Sequence, residues 1–177
     1  MKNVLGTNLT LTLYGESHGA AVGAVLDGLA PGLPVEEDYI RAQLSLRRPV
    51  GDISTPRQEP DRFVIDSGVY RGKTTGTPLS IRIPNENVRS GDYSAMEHIA
   101  RPGHADYTGY VKYRGCNDPR GGGHFSGRVT AALVAAGAIL RYALEQKGIV
   151  IASHIARLGG IDDRAFSDQA ADAAVLN

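Results

Sequence analysis

From Arg120 to Gly148 the chain reads RGGGHFSGRVTAALVAAGAILRYALEQKG. After Ser126, apolar residues recur at the three- and four-residue spacing of a helix with one buried face. These residues are Val129, Ala132, Leu133, Ala136, Leu140, Ala143 and Leu144. Gly148 stands where helices often end with a left-handed residue. The stretch therefore predicts a helix that follows closely on three consecutive glycines.

The three glycines, residues 121–123, allow two explanations. Glycine has no Cβ, so its backbone N–H groups can approach a ligand, and a helix N-terminus carries a partial positive charge. Together these features favour an anion, such as a phosphate group, in front of the helix. A tight loop without a ligand explains the same pattern, because glycine commonly precedes helices. The residues alone leave both explanations open.

Composition and charge narrow the class of ligand. The 177 residues suit one domain, and 19 basic residues balance 19 acidic ones, which argues against general affinity for nucleic acid or acidic membranes. Arginine outnumbers lysine by 15 to 4, and twelve of the arginines lie within residues 41–128. The planar guanidinium group suits bidentate binding of carboxylate or phosphate. This distribution favours a small polyanion as ligand.

The single cysteine, Cys116, cannot form an internal disulfide, and the N-terminus lacks the basic-then-apolar pattern of a secretory signal. No apolar run approaches the ~18 residues typical of a membrane span. We therefore expect a cytoplasmic protein without a membrane segment.

Periodicity predicts a mixed α+β fold with antiparallel pairing. Leu9, Leu11 and Leu13 alternate with polar residues, which is typical of a strand with one buried face. The other expected elements are a strand at 20–29, a helix at 36–46, a hairpin at 62–84, a mobile polar loop at 84–93, a strand through Val150, Ile151 and Ile155, and a short helix or frayed end beyond Gly160.

Two histidines stand at glycine-rich turns. His18 lies between Gly15 and Gly19 at the end of the first strand, and His104 follows the turn Pro102–Gly103. A histidine titrates near neutrality and can transfer a proton, although a surface or core histidine satisfied by local hydrogen bonds is the commoner case. His104 and Asp106 supply only two of the ligands that a metal needs, so we expect no metal site.

Arg128 and the Gly72-Lys73-Thr74 triplet also need an explanation. An arginine in the first turn of a helix opposes the helix dipole, so Arg128 predicts a bound anion or a carboxylate partner.

The Gly72-Lys73-Thr74 triplet is not a nucleotide-binding P-loop. Ser67 stands where the first glycine is required, and a strand rather than a helix is expected to follow.

Four blocks, taken together and in order, closely resemble the chorismate synthase family. They are GESHG (15–19), GKTTGTP (72–78), RPGHADY (101–107) and RGGGHFSGR (120–128). The resemblance runs from about Gly6 to about Gly148. Members of the family are roughly twice as long, so residues 1–177 look like the N-terminal portion of a chorismate synthase domain, without the C-terminal half.

The resemblance implies a reaction, a cofactor and an assembly. The family converts 5-enolpyruvylshikimate 3-phosphate to chorismate by 1,4-elimination of phosphate, the last step of the shikimate pathway. It requires reduced FMN without net redox change, and NADPH only in members that reduce their own flavin. The family fold is a β-α-β sandwich, part of which is expected here, and the family assembles as a homotetramer.

The resemblance also assigns residues. Its catalytic histidines fall on His18, which would donate a proton to the leaving phosphate, and on His104, beside the flavin. Its flavin contacts fall on His124, Phe125, Ser126 and Arg47. Its substrate contacts fall on Arg47, Arg48, Arg57 and Arg128.

Two departures and one missing residue limit what this chain is expected to do alone. Many relatives have arginine where His124 stands, and residues 50–58 depart from the usual pattern, which weakens the case for NADPH. A further catalytic aspartate belongs to the C-terminal half. The fragment alone is therefore expected to be inactive and to bind FMN weakly. A non-catalytic flavin- or anion-binding module and a metal-dependent phosphohydrolase are the alternatives.

Overall fold

The computed structural model describes residues 3–49, 59–86 and 99–164. Its strands are β1 Val4–Gly6, β2 Thr10–Gly15, β3 Ala21–Asp27, β4 Val64–Ser67, β5 Val69–Tyr70, β6 Lys73–Thr74, β7 Leu79–Pro84, β8 Arg157–Leu158 and β9 Ile161–Asp162. Its α-helices are α1 Glu37–Leu46, α2 Asp106–Tyr113 and α3 Thr130–Glu145. Two 3-10 segments, Arg120–Phe125 and Gly127–Val129, lead into α3.

The main sheet has five antiparallel strands in the order β1-β2-β3-β7-β4. In the middle of the sheet, Leu26 of β3 pairs with Leu11 of β2 on one side and with Leu79 of β7 on the other. Side chains alternate between the two faces of a strand, so the apolar residues of these strands share one face. The most buried of them are Val22, Ala24, Leu26, Leu79, Ile81 and Ile83.

Helix α3 packs on this face, and α1 packs against α3. Its buried side chains are mostly alanines, which allow the helix backbone to approach the sheet closely, and Ile139 adds bulk. Ile40 and Leu44 of α1 complete the core. One sheet layer therefore packs on one helix layer, and the predicted α+β class is confirmed.

Most predicted elements are confirmed. The structure contains the two N-terminal strands, the helix near 36–46 and the long helix after the glycines. The predicted hairpin is the β4–β7 pair, and a second two-stranded pair, β5–β6, lies at its tip. A strand follows Gly72-Lys73-Thr74, as expected. The strand expected through Val150, Ile151 and Ile155 is wrong. These residues are exposed, and the short β8–β9 pair forms after them. Residues 165–177 lie outside the described residues.

The expectation about membrane-spanning length needs correction. The 19-residue segment Gly127–Glu145 is long and apolar enough to cross a membrane, with a mean hydropathy of 1.3 in its most apolar window. However, 44% of that window is buried inside the protein, where it forms the core described above. A core helix satisfies the same criterion, so this segment is weak evidence for a membrane span.

Candidate functional site

The glycine loop, residues 121–123, brings His18 and His104 together. A methyl group added at Gly121 would lie 2.6 Å from His18 Nε2, and one added at Gly122 would lie 2.7 Å from His104 Nε2. Consecutive Cα atoms are only about 3.8 Å apart. The two imidazole rings, predicted from separate motifs 86 positions apart in the sequence, therefore pack against neighbouring peptide units of the same loop.

Hydrogen bonds hold the glycine loop in a tight conformation. Gly122 N donates to Pro119 O (3.2 Å), and Gly123 O accepts from Ser17 N (3.0 Å). The start of the following helix is also occupied, because Ser126 caps it by accepting from Arg128 N (3.3 Å). These contacts favour the tight-loop explanation of the glycines over an anion held by bare N–H groups.

The turn that carries His18 is fixed by Asn85. The Asn85 side-chain amide donates to Glu16 O (3.0 Å) and Gly19 O (2.8 Å), and its backbone N–H donates to Ala20 O (3.1 Å). The start of the segment expected to be a mobile loop is thus firmly bonded, and that expectation is wrong for Asn85. Residues 87–93 of the same segment lie outside the described residues.

Asp61 joins two of the predicted site arginines. Its carboxylate accepts from Arg47 Nη1 (2.8 Å) and from Arg128 Nη1. Arg128 also donates to Asn85 Oδ1 (2.8 Å) and to Pro84 O (3.1 Å). Both Asp61 and Arg128 are buried, so the carboxylate partner expected for Arg128 is present inside the protein. Asp61, Arg47 and Arg128 form what we call the Asp61 cluster.

The Asp61 cluster is connected to the histidines through Asn85. Arg128 bonds the Asn85 oxygen, while the Asn85 nitrogen bonds the turn that carries His18. The helix start, the end of β7 and the turn that carries His18 are therefore held in one hydrogen-bonded unit. This unit positions His18 relative to the glycine loop.

His104 is held by a carboxylate. Its Nδ1 lies 2.6 Å from Asp106 Oδ1, and Arg101 bonds the same carboxylate through Nε and Nη2, both at 2.8 Å. The hydrogen bonds from Arg101 hold the pKa of the Asp106 carboxyl far below its usual value. The carboxylate beside His104 is therefore ionised at physiological pH.

His18 also has a carboxylate in electrostatic range. The pKa of Asp118 is lowered, chiefly by hydrogen bonds from Arg120 and to a smaller extent by the charge of His18. His18 itself is only 8% exposed. Each histidine of the pair is thus accompanied by an aspartate that is itself paired with an arginine.

The residues predicted to contact flavin follow the glycine loop directly. His124 Nδ1 lies 2.8 Å from Gly15 O, which ties the loop to the end of β2. The Phe125 ring packs against Gly109 of α2 and is 36% exposed. Ser126 uses its hydroxyl as the helix cap. Among these three residues, Phe125 is the exposed one, and His124 and Ser126 are half-buried.

Of the two remaining predicted substrate contacts, the structure describes Arg48 and not Arg57. Arg48 donates to Pro60 O (2.9 Å) and lines an open cavity together with Arg41, Arg62 and Phe63. Arg57 lies outside the described residues, as does the rest of 50–58. Within the residues that the structure describes, no three His, Cys, Asp or Glu side chains are grouped so that they could hold a metal ion.

Sequence reasoning missed Asp61, Asn85 and the role of Arg101. The unfavourable position of Arg128 indicated a bound anion or a carboxylate partner, but not which residue would supply it. Asp61 has a positive φ of 51°, a conformation that aspartate tolerates better than most residues. No repeating sequence pattern marks such a position.

The contact between Gly121 and His18 gives a direct prediction. Gly121 has φ +58°, and an added methyl group would overlap the His18 ring, so Gly121→Ala should destabilise the chain by about 1–3 kcal/mol. The matched control is Gly72→Ala, because Gly72 also has a positive φ, of +71°, and a methyl group there meets no atom within 4 Å. Urea unfolding of both variants checks this, and equal losses of stability would contradict the packing described here.

Comparison with known proteins identifies relatives of the chain. The sequence model of the family described as chorismate synthase matches residues 9–176. The chorismate synthase of Aeropyrum pernix is 47% identical to the chain over 163 residues, which cover 92% of this chain and 43% of that protein. The chorismate synthase of Wolinella succinogenes is 52% identical over 158 residues, covering 89% and 44%.

A crystal structure of chorismate synthase has a similar fold. It superposes with a TM-score of 0.56 at 31% sequence identity, and the match covers 80% of this chain and 36% of that one. The chain thus spans less than half the length of the relatives that it matches. The family model matches nearly the whole chain, the fold resembles that of a solved member, and the chain belongs to the chorismate synthase family.

Proposed function

We propose that this chain supplies the two-histidine part of a chorismate synthase active site. The reaction would be the 1,4-elimination of phosphate from 5-enolpyruvylshikimate 3-phosphate, a carbon–oxygen lyase reaction that gives chorismate. The packing of His18 and His104 against neighbouring glycines is the observation that supports this most strongly. Two proton-transferring groups on one loop suit a reaction in which a phosphate ester leaves.

His18 would assist the departure of phosphate. When the carbon–oxygen bond breaks, negative charge builds up on the phosphate oxygens, and a nearby imidazolium can donate a proton to one of them. His18 is 8% exposed, and the turn that carries it is bonded at both ends, so its ring has a defined position. A fixed donor in a water-poor site is worth more than the same group in solvent.

The cofactor would be reduced FMN, which supplies an electron-rich ring system beside the substrate. The residues present fit part of such a site. His104 and His124 provide imidazoles, and Phe125 provides a partly exposed aromatic ring. Ser126 and Arg47 are engaged in the helix cap and the Asp61 cluster, so their part in holding the flavin would be indirect. NADPH would bind only if the complete enzyme reduces its own flavin.

The arginines would divide into two groups. Every nitrogen at the end of the Arg128 side chain bonds a protein acceptor, and Arg47 bonds Asp61. These two arginines would therefore stabilise the site, and they would contact the substrate only by giving up their present partners. Arg48 lines an open cavity and is the better placed of the three for a phosphate or carboxylate group. Arg57 stays a predicted substrate contact.

The complete enzyme would be a cytoplasmic homotetramer that acts on a small molecule, without nucleic acid or membrane as partner. The balanced formal charge supports the absence of a polyanionic partner. The described residues form a main sheet covered by one helix layer, and the remaining length of the family would supply the further aspartate and further flavin contacts.

Flavin binding tests this division of the site. The purified 177-residue chain should bind FMN weakly or not at all, as measured by the fluorescence of the flavin during titration, because the site is incomplete. Tight, stoichiometric binding would contradict the proposal that the other half of the family's length is needed.

A chimaera tests the reaction itself. The matching segment of the Aeropyrum pernix enzyme, which is 47% identical, would be replaced by this chain. The folded chimaera should release phosphate and form chorismate only when reduced FMN is supplied. A folded chimaera that binds FMN but forms no chorismate would overturn the proposed function, and phosphate release that needs a divalent ion instead of flavin would indicate the phosphohydrolase.

A further inference from the structure

The turn that carries His18 has few hydrogen bonds of its own. Gly19 N donates to Glu16 O (3.1 Å), which closes a four-residue turn with Ser17 and His18 at its centre. Ser17 N also donates to Gly123 O (3.0 Å), and this bond joins the turn to the glycine loop. Because many turns of this size form without even the closing bond, the position of His18 depends on the groups that hold the turn from outside.

Asn85 holds the turn from the end of β7. Its side-chain nitrogen, Nδ2, donates to the carbonyl oxygens at both ends of the turn, Glu16 O (3.0 Å) and Gly19 O (2.8 Å). Its Oδ1 accepts from Arg128 Nε (2.8 Å), and its backbone N–H donates to Ala20 O (3.1 Å). The half-buried side chain therefore uses its oxygen and both of its amide hydrogens in bonds to the protein.

The partners of Asn85 require an asparagine in this orientation. Carbonyl oxygens only accept and a guanidinium only donates, so a reversed amide would place donor against donor and acceptor against acceptor. Aspartate could accept from Arg128 but has no hydrogen to donate to the turn. Glutamine carries the same amide one methylene further out, while the bond from the backbone N–H to Ala20 O fixes where the side chain begins.

We propose that Asn85 is a positioning residue, whose amide holds the His18 turn against the glycine loop and so sets where the imidazole stands. The same amide bonds Arg128, which is paired with the buried carboxylate of Asp61. The place of the proposed proton donor is thus tied to a buried ion pair on another part of the chain. The catalytic meaning of this role rests on the proposed function, but the hold on the turn does not.

Hydrogen exchange of the ¹⁵N-labelled wild-type chain tests the hold on the turn without any ligand. Both Nδ2 hydrogens of Asn85 are bonded, so the side-chain amide should exchange with solvent at least roughly tenfold more slowly than the amide of acetamide. Exchange of the Asn85 side-chain amide as fast as that of acetamide would overturn the proposal.

Asn85→Asp separates positioning from a general loss of stability. It keeps the shape of the side chain and the acceptor for Arg128, but it removes both donors. The backbone N–H groups of Ser17 and Gly19 should then exchange roughly tenfold faster, whereas amides in the middle of β3 and β7 should keep their protection. An equal acceleration in the strands and the turn would show a merely structural role and would overturn the proposal.

Gln43→Glu is the matched control. It makes the same change from amide to carboxylate beside an arginine, because Gln43 Oε1 accepts from Arg141 Nη1 (3.4 Å) between α1 and α3. The turn amides should exchange in this variant as they do in the wild type. If Asn85→Asp fails to fold, the exchange of the wild-type Asn85 side chain still decides.

The chimaera tests the consequence for the reaction. In an active chimaera, Asn85→Asp should lower kcat by roughly 10–10²-fold and leave KM nearly unchanged, because it displaces a reacting group and removes no substrate contact. Gln43→Glu should keep both constants. Wild-type kcat in the Asn85→Asp chimaera, or unchanged exchange of the turn amides in the folded variant, would overturn the proposal. An inactive folded chimaera together with the expected exchange would disprove the proposed function and leave the hold on the turn standing.

Discussion

Replacing either His18 or His104 by alanine in the chimaera should lower kcat by roughly 10²–10⁴-fold, the range typical for loss of a positioned proton donor or acceptor. Both rings pack on the glycine loop, so each removal takes one proton-transferring group from the same small region. If the two histidines act in one reaction sequence, the double variant should lose much less than the product of the two single losses.

The control for this experiment is His154→Ala. His154 Nδ1 lies 3.4 Å from Asp163, near the short β8–β9 pair, and the proposed chemistry does not use it. That variant should keep the wild-type kcat. Thermal unfolding of all three variants would show whether a loss of rate comes from a loss of fold.

Variants that keep their ligand affinity, in a chimaera that shows no turnover, would indicate a non-catalytic binding module. A non-catalytic flavin- or anion-binding module would retain ligand affinity in His18→Ala and His104→Ala and would show no turnover to lose. Retention of full turnover by either variant would remove that histidine from the proposed chemistry.

Local periodicity predicted the framework well. The alternation around Leu11 and the helical spacing after Val129 follow from burying one face of each element, and both appear as expected. The strand expected at 150–155 failed although its residues are β-branched. A strand needs a hydrogen-bonded neighbour, and the part of the chain that the structure describes pairs no other strand with these residues.

The hydrogen bonds and ion pairs that hold the site in place could not be predicted, because they join residues far apart in the sequence. Asp61 and Arg128 are 67 positions apart, and Asn85 bonds a carbonyl 69 positions earlier. Only the folded sheet brings them together, since β7 ends beside both the His18 turn and the start of α3. By contrast, His104 and Asp106 are two positions apart, and their local spacing was visible in the sequence.

Among the ion pairs of the described residues, the Asp61 cluster should contribute most to stability. Asp61→Asn should lower the free energy of unfolding by about 3–5 kcal/mol, because Arg128 would remain as a buried charge without its carboxylate. Arg47, whose side chain is 23% exposed, would lose its partner as well. The substitution keeps the shape of the side chain, so urea unfolding should report the electrostatic loss rather than a cavity.

Asp66→Asn is the matched control, since Asp66 also accepts two hydrogen bonds from an arginine, Arg82, both at 3.1 Å. That pair is exposed and screened by water, so its loss should cost little. A double variant, Asp61→Asn with Arg128→Met, removes the stranded charge together with its partner and should recover part of the stability lost in Asp61→Asn. If Asp61→Asn and Asp66→Asn are equally stable, or if the double variant is less stable than Asp61→Asn, the buried pair is not what holds the helix start to the sheet.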